Sequence, residues 1–305
     1  MSRQAFLSRL FSISLLFCIL PAASWAKQEP LPVFVSILPQ KYFVERIGGE
    51  KVKVSVMVAP GRSPETYEPT PRQMAELSRA RLYFTIGVPF ESVWMKRLAA
   101  NNPHLKLIDS SQGIPLLPLP AHHHHHHDEQ GHHSSGDGRN SGFHDPHVWT
   151  SPANAKIIAA NILTAFREAL PAHKEEFTVN YERLVADLEL LEKEIGARLA
   201  PLKNRRFLVF HPSWGYFASD FGLEQIAIES GGKEPGARAL AALIERAKRE
   251  NIRVVFVQEQ FSRTAAGTVA AAIGGRVAAV DPLAEDYFAN LRRVAEVFAE
   301  AMRQP

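Results

Sequence analysis

Short apolar runs alternate with amphipathic stretches through the first half of the chain, and this alternation constrains the fold more than any other feature. The apolar runs have the length and β-branched content of buried strands, whereas the stretches between them space their apolar residues as helices do. A strand–helix alternation predicts a mainly parallel sheet covered by helices. The predicted strands are VFVSIL, VKVSVMV, RLYFTIG and LKLID, and the predicted helices are QKYFVERIG, PRQMAELSRA and FESVWMKRLAANN.

The second half of the chain has the same alternation, although the two halves share no recognisable sequence repeat. A chain of 305 residues is also longer than one small core usually organises. We therefore predict an α/β fold with two lobes. The strands predicted in the second lobe are RRFLVFH, LEQIAIE, RVVFVQEQ and RVAAVDP, and the helices are ALAALIERAKREN, RTAAGTVAAAIGG and EDYFANLRRVAEVFAEAM.

The stretch KEEFTVNYERLVADLELLEKEIGARLAPL separates the two halves. Its apolar side chains recur three or four residues apart, which draws one stripe along a helix of about 40 Å. We predict lobes at 27–170 and 203–305, joined by one long rigid helix at 171–202. The stripe consists of Phe177, Tyr181, Leu184, Leu188, Leu191, Ile195, Leu199 and Leu202.

Residues 1–26 have the pattern of a secretory signal peptide. Arg3 and Arg9 precede the apolar run LFSISLLFCIL, and Ser24 and Ala26 are the small residues that a signal peptidase requires. We expect cleavage after Ala26 and export to the periplasm. The apolar run is too short to span a membrane and no later stretch is a second candidate, so we expect no membrane insertion after cleavage.

Cys18 is the only cysteine, and it lies within the predicted signal peptide. It follows Phe17, where the signal of a lipid-anchored protein would have a small residue, so we expect no lipid anchor. The exported chain would contain no thiol, and its metal ligands would be nitrogen and oxygen atoms.

The charges of the chain are nearly balanced, with 35 basic and 32 acidic residues and a net charge of +3. The lysines and arginines are spread among acidic residues, whereas nucleic-acid binding needs a clustered basic surface. We expect no nucleic-acid partner, and we expect a monomer.

Three potential metal ligands lie at predicted strand ends beside proline, where α/β lobes place their sites. They are His147 in FHDPHVWTSP, His211 in VFHPSWGYF and Asp281 in AAVDPLAEDY. Singly, such a residue is more often a turn former or a satisfied polar group. Together, two imidazoles and a carboxylate suit zinc or a neighbouring first-row ion.

Ten of the thirteen histidines lie between Ala121 and Trp149. The segment 121–144 is rich in glycine, serine, aspartate and histidine, so it cannot bury enough apolar surface to offset the entropy of ordering. Adjacent imidazoles can still chelate a metal, which predicts an accessory metal-collecting segment; a passive linker is the alternative. Its candidate ligands are His122, His123, His124, His125, His126, His127, His132, His133 and His144.

Four motifs, PETYEPTP, DPHVWTSP, FHPSWGYF and VDPL, follow one another in this order. Their order and spacing resemble those of the metal-binding solute receptors of ABC transporters, the ZnuA, TroA and PsaA type (cluster A-I). The resemblance extends from about Leu31 to the C-terminus. It implies two α/β lobes joined by one rigid helix, a metal in the cleft between them, and delivery of that metal to a membrane permease with its ATPase.

Carried over from this resemblance, the metal ligands would be Glu65, His147, His211 and Asp281. Receptors of the family normally have a histidine at the position of Glu65. Its zinc receptors often have a histidine-rich, acidic loop before the DPHVW motif, as this chain does at 121–137.

The replacement at Glu65 bears on the identity of the metal. Two histidines with two carboxylates make a harder site than three histidines with one carboxylate, which suits Mn²⁺ better, although zinc has the higher intrinsic affinity. Manganese receptors of the family tend to have a carboxylate at the position of His211. We therefore expect Zn²⁺, with Mn²⁺ or Fe²⁺ as alternatives. Glu65 could also lie outside the ligand set, with His144 or another loop histidine in its place.

An exported zinc hydrolase is the competing function. A catalytic zinc keeps one coordination position open, whereas four protein ligands would close the shell. The chain has no HExxH motif, no G-x-S-x-G motif and no cysteine nucleophile. We therefore expect a binding protein and not an enzyme. A histidine-rich metal buffer is a third possibility, which deletion of the histidine run would distinguish.

Overall fold

The computed structural model describes residues 29–100, 102–119, 144–229 and 233–303. The predicted signal peptide and all the accessory histidines except His144 lie outside the described residues.

Four parallel strands form the sheet of the first lobe, in the order β2-β1-β3-β4. All four predicted strands and all three predicted helices of this half are confirmed, with ends shifted by a few residues. The strands are β1 (Leu31–Val35), β2 (Val52–Val56), β3 (Leu82–Thr85) and β4 (Lys106–Asp109). The helices are α1 (Leu38–Gly48), α2 (Pro71–Leu77) and α3 (Pro89–Ala100).

Helix α4 (Pro152–Ala169) was not predicted from the sequence. The Ser151 hydroxyl accepts a hydrogen bond from the backbone N–H of Asn154 at 2.9 Å, and Pro152 occupies the first helical position, so the helix has a regular start. Its buried side chains, which include Ile158, Ile162 and Phe166, face the first lobe and the next helix. A serine–proline start followed by an apolar stripe is the signal that would have revealed it.

Helix α5 (Lys174–Leu199) is the predicted joining helix, and its 26 residues follow a short 3₁₀ turn at Pro171–His173. Six residues of the predicted stripe are buried along it, and α5 packs against α1, α4 and the C-terminal helix. The stripe therefore packs against helices of both lobes, and the prediction of a long joining helix is confirmed. The buried residues are Phe177, Leu184, Leu188, Leu191, Ile195 and Leu199.

The second lobe repeats the strand order of the first, as β6-β5-β7-β8, with every neighbouring pair parallel. All four predicted strands are confirmed: β5 (Arg206–Val209), β6 (Glu224–Ala227), β7 (Val254–Val257) and β8 (Arg276–Ala279). The helices are α6 (Gly215–Asp220), which was not predicted, and α7 (Ala237–Arg249), α8 (Arg263–Ala272) and α9 (Tyr287–Met302), which were.

One hydrophobic core extends through both lobes, and a smaller cluster covers the other face of the second sheet. Phe43 of α1 illustrates the continuity, because its ring lies 4.7 Å from that of Tyr287 in α9, between centroids. Truncation of such a phenylalanine to alanine costs about 3–5 kcal/mol. The two lobes are therefore packed on one shared core.

In the described part of the chain, no helix has both the length and the apolar character that crossing a bilayer requires.

Candidate metal centre

Glu65 lies in the loop between β2 and α2. Its carboxylate accepts a hydrogen bond from the Ser63 hydroxyl, whose oxygen accepts in turn from the Glu65 backbone N–H at 3.3 Å. The backbone N–H of Phe90, at the start of α3, donates to the Pro64 carbonyl at 3.3 Å. These bonds hold the loop against the first lobe and direct the half-buried carboxylate toward the cleft.

His147 is held in place by the aspartate two residues before it. One carboxylate oxygen of Asp145 accepts from the His147 backbone N–H at 2.9 Å and lies 2.7 Å from the imidazole Nδ1. Because this bond occupies Nδ1, the ring presents Nε2 to the cleft. His147 and Asp145 are both buried.

His211 follows β5 and comes from the second lobe. Its Nδ1 lies 3.4 Å from a carboxylate oxygen of Glu229, which follows the neighbouring strand β6. The ring stacks on Phe261 at a centroid distance of 4.6 Å. Its buried Nε2 lies 2.9 Å from Glu65 Oε1, an ion pair when the imidazole is protonated. A cation bound at Nε2 would have to replace that proton.

The three side chains meet at one point between the lobes. Glu65, His147 and His211 each offer one ligand atom, and these atoms lie within 4.8 Å of one another. The Oε1 of Glu65 is 3.9 Å from His147 Nε2 and 2.9 Å from His211 Nε2. Ligands of a tetrahedral zinc ion at 2.0–2.2 Å are roughly 3.3 Å apart. The observed separations bracket that spacing, so the cluster fits a zinc-sized ion after small side-chain movements.

The charges of the cluster are strongly coupled. Burial alone would raise the pKa of Glu65, but the hydrogen bond and the charge of His211 outweigh it and lower that pKa to about 2. Burial would likewise lower the pKa of His211, but the carboxylates of Glu229 and Glu65 raise it to about 9. At neutral pH the metal-free cluster therefore holds an ion pair, and a metal must displace the proton of His211.

Asp281 was predicted as the fourth ligand, and it lies outside this cluster. Its Oδ1 accepts from the backbone N–H of Leu283 at 2.9 Å, and its pKa is raised by burial and by the negative charge of Glu259. Its neighbours Pro282 and Leu283 nevertheless line the small cavity at the cluster, together with Glu65. The role of Asp281 as a ligand stays a prediction.

His144 also lies apart from the cluster. It is exposed and forms an isolated antiparallel bridge with Pro118. The cluster contains Glu65 instead, so the geometry does not favour His144 as a substitute ligand. The other accessory histidines lie outside the described residues.

Sequence reasoning missed the two carboxylates that orient the imidazoles. Asp145 was visible in the DPH motif, and Glu229 ends a predicted strand, which is the criterion that selected the other candidates. Such partners fix the tautomer and the direction of a metal-binding histidine.

Hydrogen bonds across the lobes hold the site together. The Trp149 indole donates to the Pro282 carbonyl at 2.7 Å, and the Tyr287 hydroxyl donates to the Trp149 carbonyl at 2.9 Å. The Tyr216 hydroxyl donates to the carbonyl of Asp145 at 3.0 Å. His147, which belongs to the first lobe, is thus fixed by contacts with the second.

Comparison with known proteins places this arrangement in a family. The family model ZnuA, "Zinc-uptake complex component A periplasmic", matches residues 33–301. The high-affinity zinc uptake system protein ZnuA of Bacillus subtilis (strain 168) is 28% identical over 262 residues, which are 85% of this chain and 80% of that protein. A crystal structure of a ZnuA deletion mutant with zinc bound is 43% identical, with a TM-score of 0.81 over 90% of this chain and 100% of that chain.

A mutant of the periplasmic metal-binding protein from Candidatus Liberibacter asiaticus, solved with manganese bound, shares the fold at 18% identity. Its TM-score is 0.77, over 90% of this chain and 100% of that chain. The family model spans both lobes and all four motifs. The chain therefore belongs to the ZnuA family of periplasmic zinc-binding receptors.

Proposed function

We propose that this protein captures a divalent transition metal, Zn²⁺ above all, between its lobes and delivers it to the permease of an ABC transporter with its ATPase. The observation that carries the proposal is the group formed by half-buried Glu65 and buried His147 and His211, drawn from both lobes. A site built across two lobes can load and release a cation through a small change in their separation.

Zinc is favoured by the two imidazoles. Their second nitrogens are bound to the carboxylates of Asp145 and Glu229, which raises the basicity of the ligand nitrogens. Asp281 is the proposed fourth ligand, and with Glu65 it would neutralise the charge of the cation. Manganese and ferrous iron are the alternative cargo, because two carboxylates make the site harder than a three-histidine site.

The proposed ligand set also argues for binding rather than catalysis. Four protein ligands leave no open position for a water nucleophile. The two other carboxylates beside the cluster belong to Asp145 and Glu229. Each binds an imidazole, so neither is directed at the metal position as a general base would be. An exported zinc hydrolase is therefore the weaker proposal.

Residues 1–26 direct export to the periplasm and are then removed. The protein acts as a monomer there, and the histidines at 122–133 collect metal for the tight site without forming it.

A competitive metal titration tests this function. The protein that begins at Lys27 is titrated with Zn²⁺ against a chelator, with and without residues 122–133, and the titration is repeated with Mn²⁺. We expect one tight zinc site in both forms, with zinc preferred over manganese. Loss of all tight binding in the deletion, with circular dichroism unchanged, would identify a histidine-rich buffer instead.

A further inference from the structure

Helix α6 of the second lobe lies directly against the segment of the first lobe that carries His147. It contacts the 3₁₀ turn Val148–Thr150, which follows this histidine. The helix is itself anchored in the second lobe, because the backbone N–H of Trp214, just before it, donates to the Gln225 side chain of β6 at 2.7 Å. The first turn of α6 is therefore a fixed part of the second lobe that borders a ligand of the first.

Gly215, the first residue of α6, lies against the carboxylate of Asp145. A Cβ atom at position 215 would stand 2.5 Å from Asp145 Oδ2, which is too close for atoms that are not bonded to each other. The next contacts of that Cβ, with Asp145 Cγ and with Gln225 Nε2, would lie at an ordinary 3.7 Å. Glycine thus allows a close approach that any larger residue would prevent, and the group that a larger residue would displace is this carboxylate.

The same carboxylate orients the imidazole of His147. Its other oxygen, Oδ1, accepts from the His147 backbone N–H at 2.9 Å and lies 2.7 Å from Nδ1. The two oxygens belong to one planar group on a buried side chain, so pressure on Oδ2 also moves Oδ1. The space left by Gly215 therefore bears on the direction of a metal ligand.

Tyr216, the second residue of α6, holds the backbone of Asp145. Its buried hydroxyl donates to the Asp145 carbonyl at 3.0 Å and accepts from the backbone N–H of Leu117 at 3.0 Å. The Asp145 backbone N–H donates in turn to the Leu117 carbonyl at 2.8 Å. These three hydrogen bonds tie two strands of first-lobe backbone to one side chain of the second lobe.

We propose that Gly215 and Tyr216 are positioning residues for the metal site, which set the His147 imidazole from the opposite lobe. The glycine makes room for the carboxylate of Asp145, and the tyrosine holds its backbone. This inference rests on the proposed function. His211 lies four residues before the glycine, so one short segment of the second lobe presents its own ligand and orients the ligand of the first.

A double-mutant cycle tests the proposal, with Zn²⁺ as the probe. The variants are Gly215→Ala, Asp145→Ala and their combination, each titrated against a chelator of matched affinity. We expect Gly215→Ala to weaken zinc binding by about 10- to 100-fold, as disturbance of a ligand's partner does. In the Asp145→Ala background the same substitution should cause no further loss, because the group that the added methyl displaces is gone.

Gly267→Ala is the matched control. Gly267 also lies in a helix of the second lobe, and a Cβ atom there would meet no atom within 4 Å, so this variant should bind zinc normally. Alanine favours a helix more than glycine does, so neither substitution should disrupt its own helix. Tyr216→Phe tests the proposal separately if Gly215→Ala does not fold. It removes the bond to the Asp145 carbonyl and should weaken zinc binding by about tenfold.

The proton on His147 Nδ1 gives a readout that a merely structural role would not move. Its NMR resonance in the zinc-saturated protein is assigned by its absence from His147→Ala. In Gly215→Ala this resonance should move upfield and exchange faster with water, because the hydrogen bond to Asp145 is disturbed. In Gly267→Ala it should stay unchanged.

The outcomes separate this inference from the function on which it rests. If the unsubstituted protein has no tight zinc site, the proposed function fails. If that site exists, the inference is overturned when Gly215→Ala and Tyr216→Phe both bind zinc normally, or when Gly215→Ala weakens binding equally with and without the Asp145 carboxylate.

Discussion

The two lobes have the same strand order, yet they use the carboxyl ends of their strands differently. In the first lobe these ends are closed by a buried polar network. The Gln40 amide donates to the Phe84 carbonyl at 3.1 Å and to the Ser110 hydroxyl at 3.0 Å, and Glu91 accepts from the backbone N–H of Gly87 at 2.8 Å. In the second lobe, His211 lies two residues after strand β5, and its Nε2 faces Glu65 of the first lobe at 2.9 Å.

This difference explains how each lobe contributes to the site. The first lobe satisfies its strand-end polar groups internally, and its proposed ligands Glu65 and His147 lie well beyond the ends of β2 and β4 in the chain. The second lobe places His211 and Asp281 within two residues of strands β5 and β8. The same strand order, used twice, therefore supplies a closed edge in the first lobe and the proposed strand-end ligands in the second.

The largest expected effect is the loss of an imidazole from either lobe. His211→Ala and His147→Ala should each weaken zinc binding by more than the roughly 100-fold that removal of a ligand's partner costs. The reason is that neither imidazole has a substitute nitrogen among the described residues of the cluster. Chelator competition measures the effect, with His104→Ala as a control outside the cluster; unchanged affinity in either cluster variant would remove that residue from the ligand set.

Acid should weaken binding next most strongly, through the histidine of the second lobe. The pKa of His211 is about 9 in the metal-free protein, so a cation must displace its proton throughout the neutral range. Zinc affinity should rise by up to about tenfold per pH unit between pH 7 and 9. Titrations across this range measure it, and a flat affinity would show that the metal-free protein already holds His211 neutral.

Protonation of His211 also makes the stability of the metal-free protein depend on pH. This stability should fall as pH rises, whereas zinc affinity should rise. Because the folded-state pKa of His211 is raised, its contribution is complete below about pH 6.5 and is lost as pH rises through about 9.

Removal of the carboxylates behind the imidazoles should have an intermediate effect. Asp145→Asn and Glu229→Gln should each weaken zinc binding by about 10- to 100-fold, because both keep the ligand but loosen its orientation. Glu229→Gln should also move the pH dependence of binding to lower pH, since Glu229 helps to raise the pKa of His211. Titration at two pH values separates these effects, and a pH profile unchanged in Glu229→Gln would contradict the assignment.

The smallest effect on metal binding is expected in the buried polar network around Gln40 and Glu91, at the strand ends of the first lobe. Glu91→Gln should change zinc affinity by less than about threefold, since the hydrogen-bond partners of its side chain, Ser36, Ile86 and Gly87, are not members of the cluster. Burial raises the pKa of Glu91 to about 7. Its contribution to stability is therefore complete below about pH 4.5 and lost as pH rises through about 7, a change of roughly 3 kcal/mol.

Chemical denaturation at pH 4.5 and pH 7.5, without metal, measures this contribution. The Glu91→Gln variant should lose less stability than the unsubstituted protein between the two pH values. A large loss of zinc affinity in this variant would show that this polar network contributes to the metal site.

The sequence by itself determined the elements and the chemistry of the ligands. Eight strands followed from the length and β-branched content of short apolar runs, and the joining helix followed from the period of its apolar residues, which helix geometry fixes. His211 followed from its position just after β5. His147 was predicted at a strand end, but it lies directly before the 3₁₀ turn Val148–Thr150 and does not follow a named strand. Helix α4 was missed although its serine–proline start and its apolar stripe are both present in the sequence.

Only the tertiary structure decided which side chains meet. The repeated strand order depends on long-range pairing, such as that of β1 with β3, which local periods do not encode. Contacts between segments far apart in the chain set Glu65 2.9 Å from His211, bound Glu229 to the same ring, and left Asp281 outside the group of three. A ligand type can be read from one residue, but a ligand set depends on distances between lobes, and these arise only when the shared core forms.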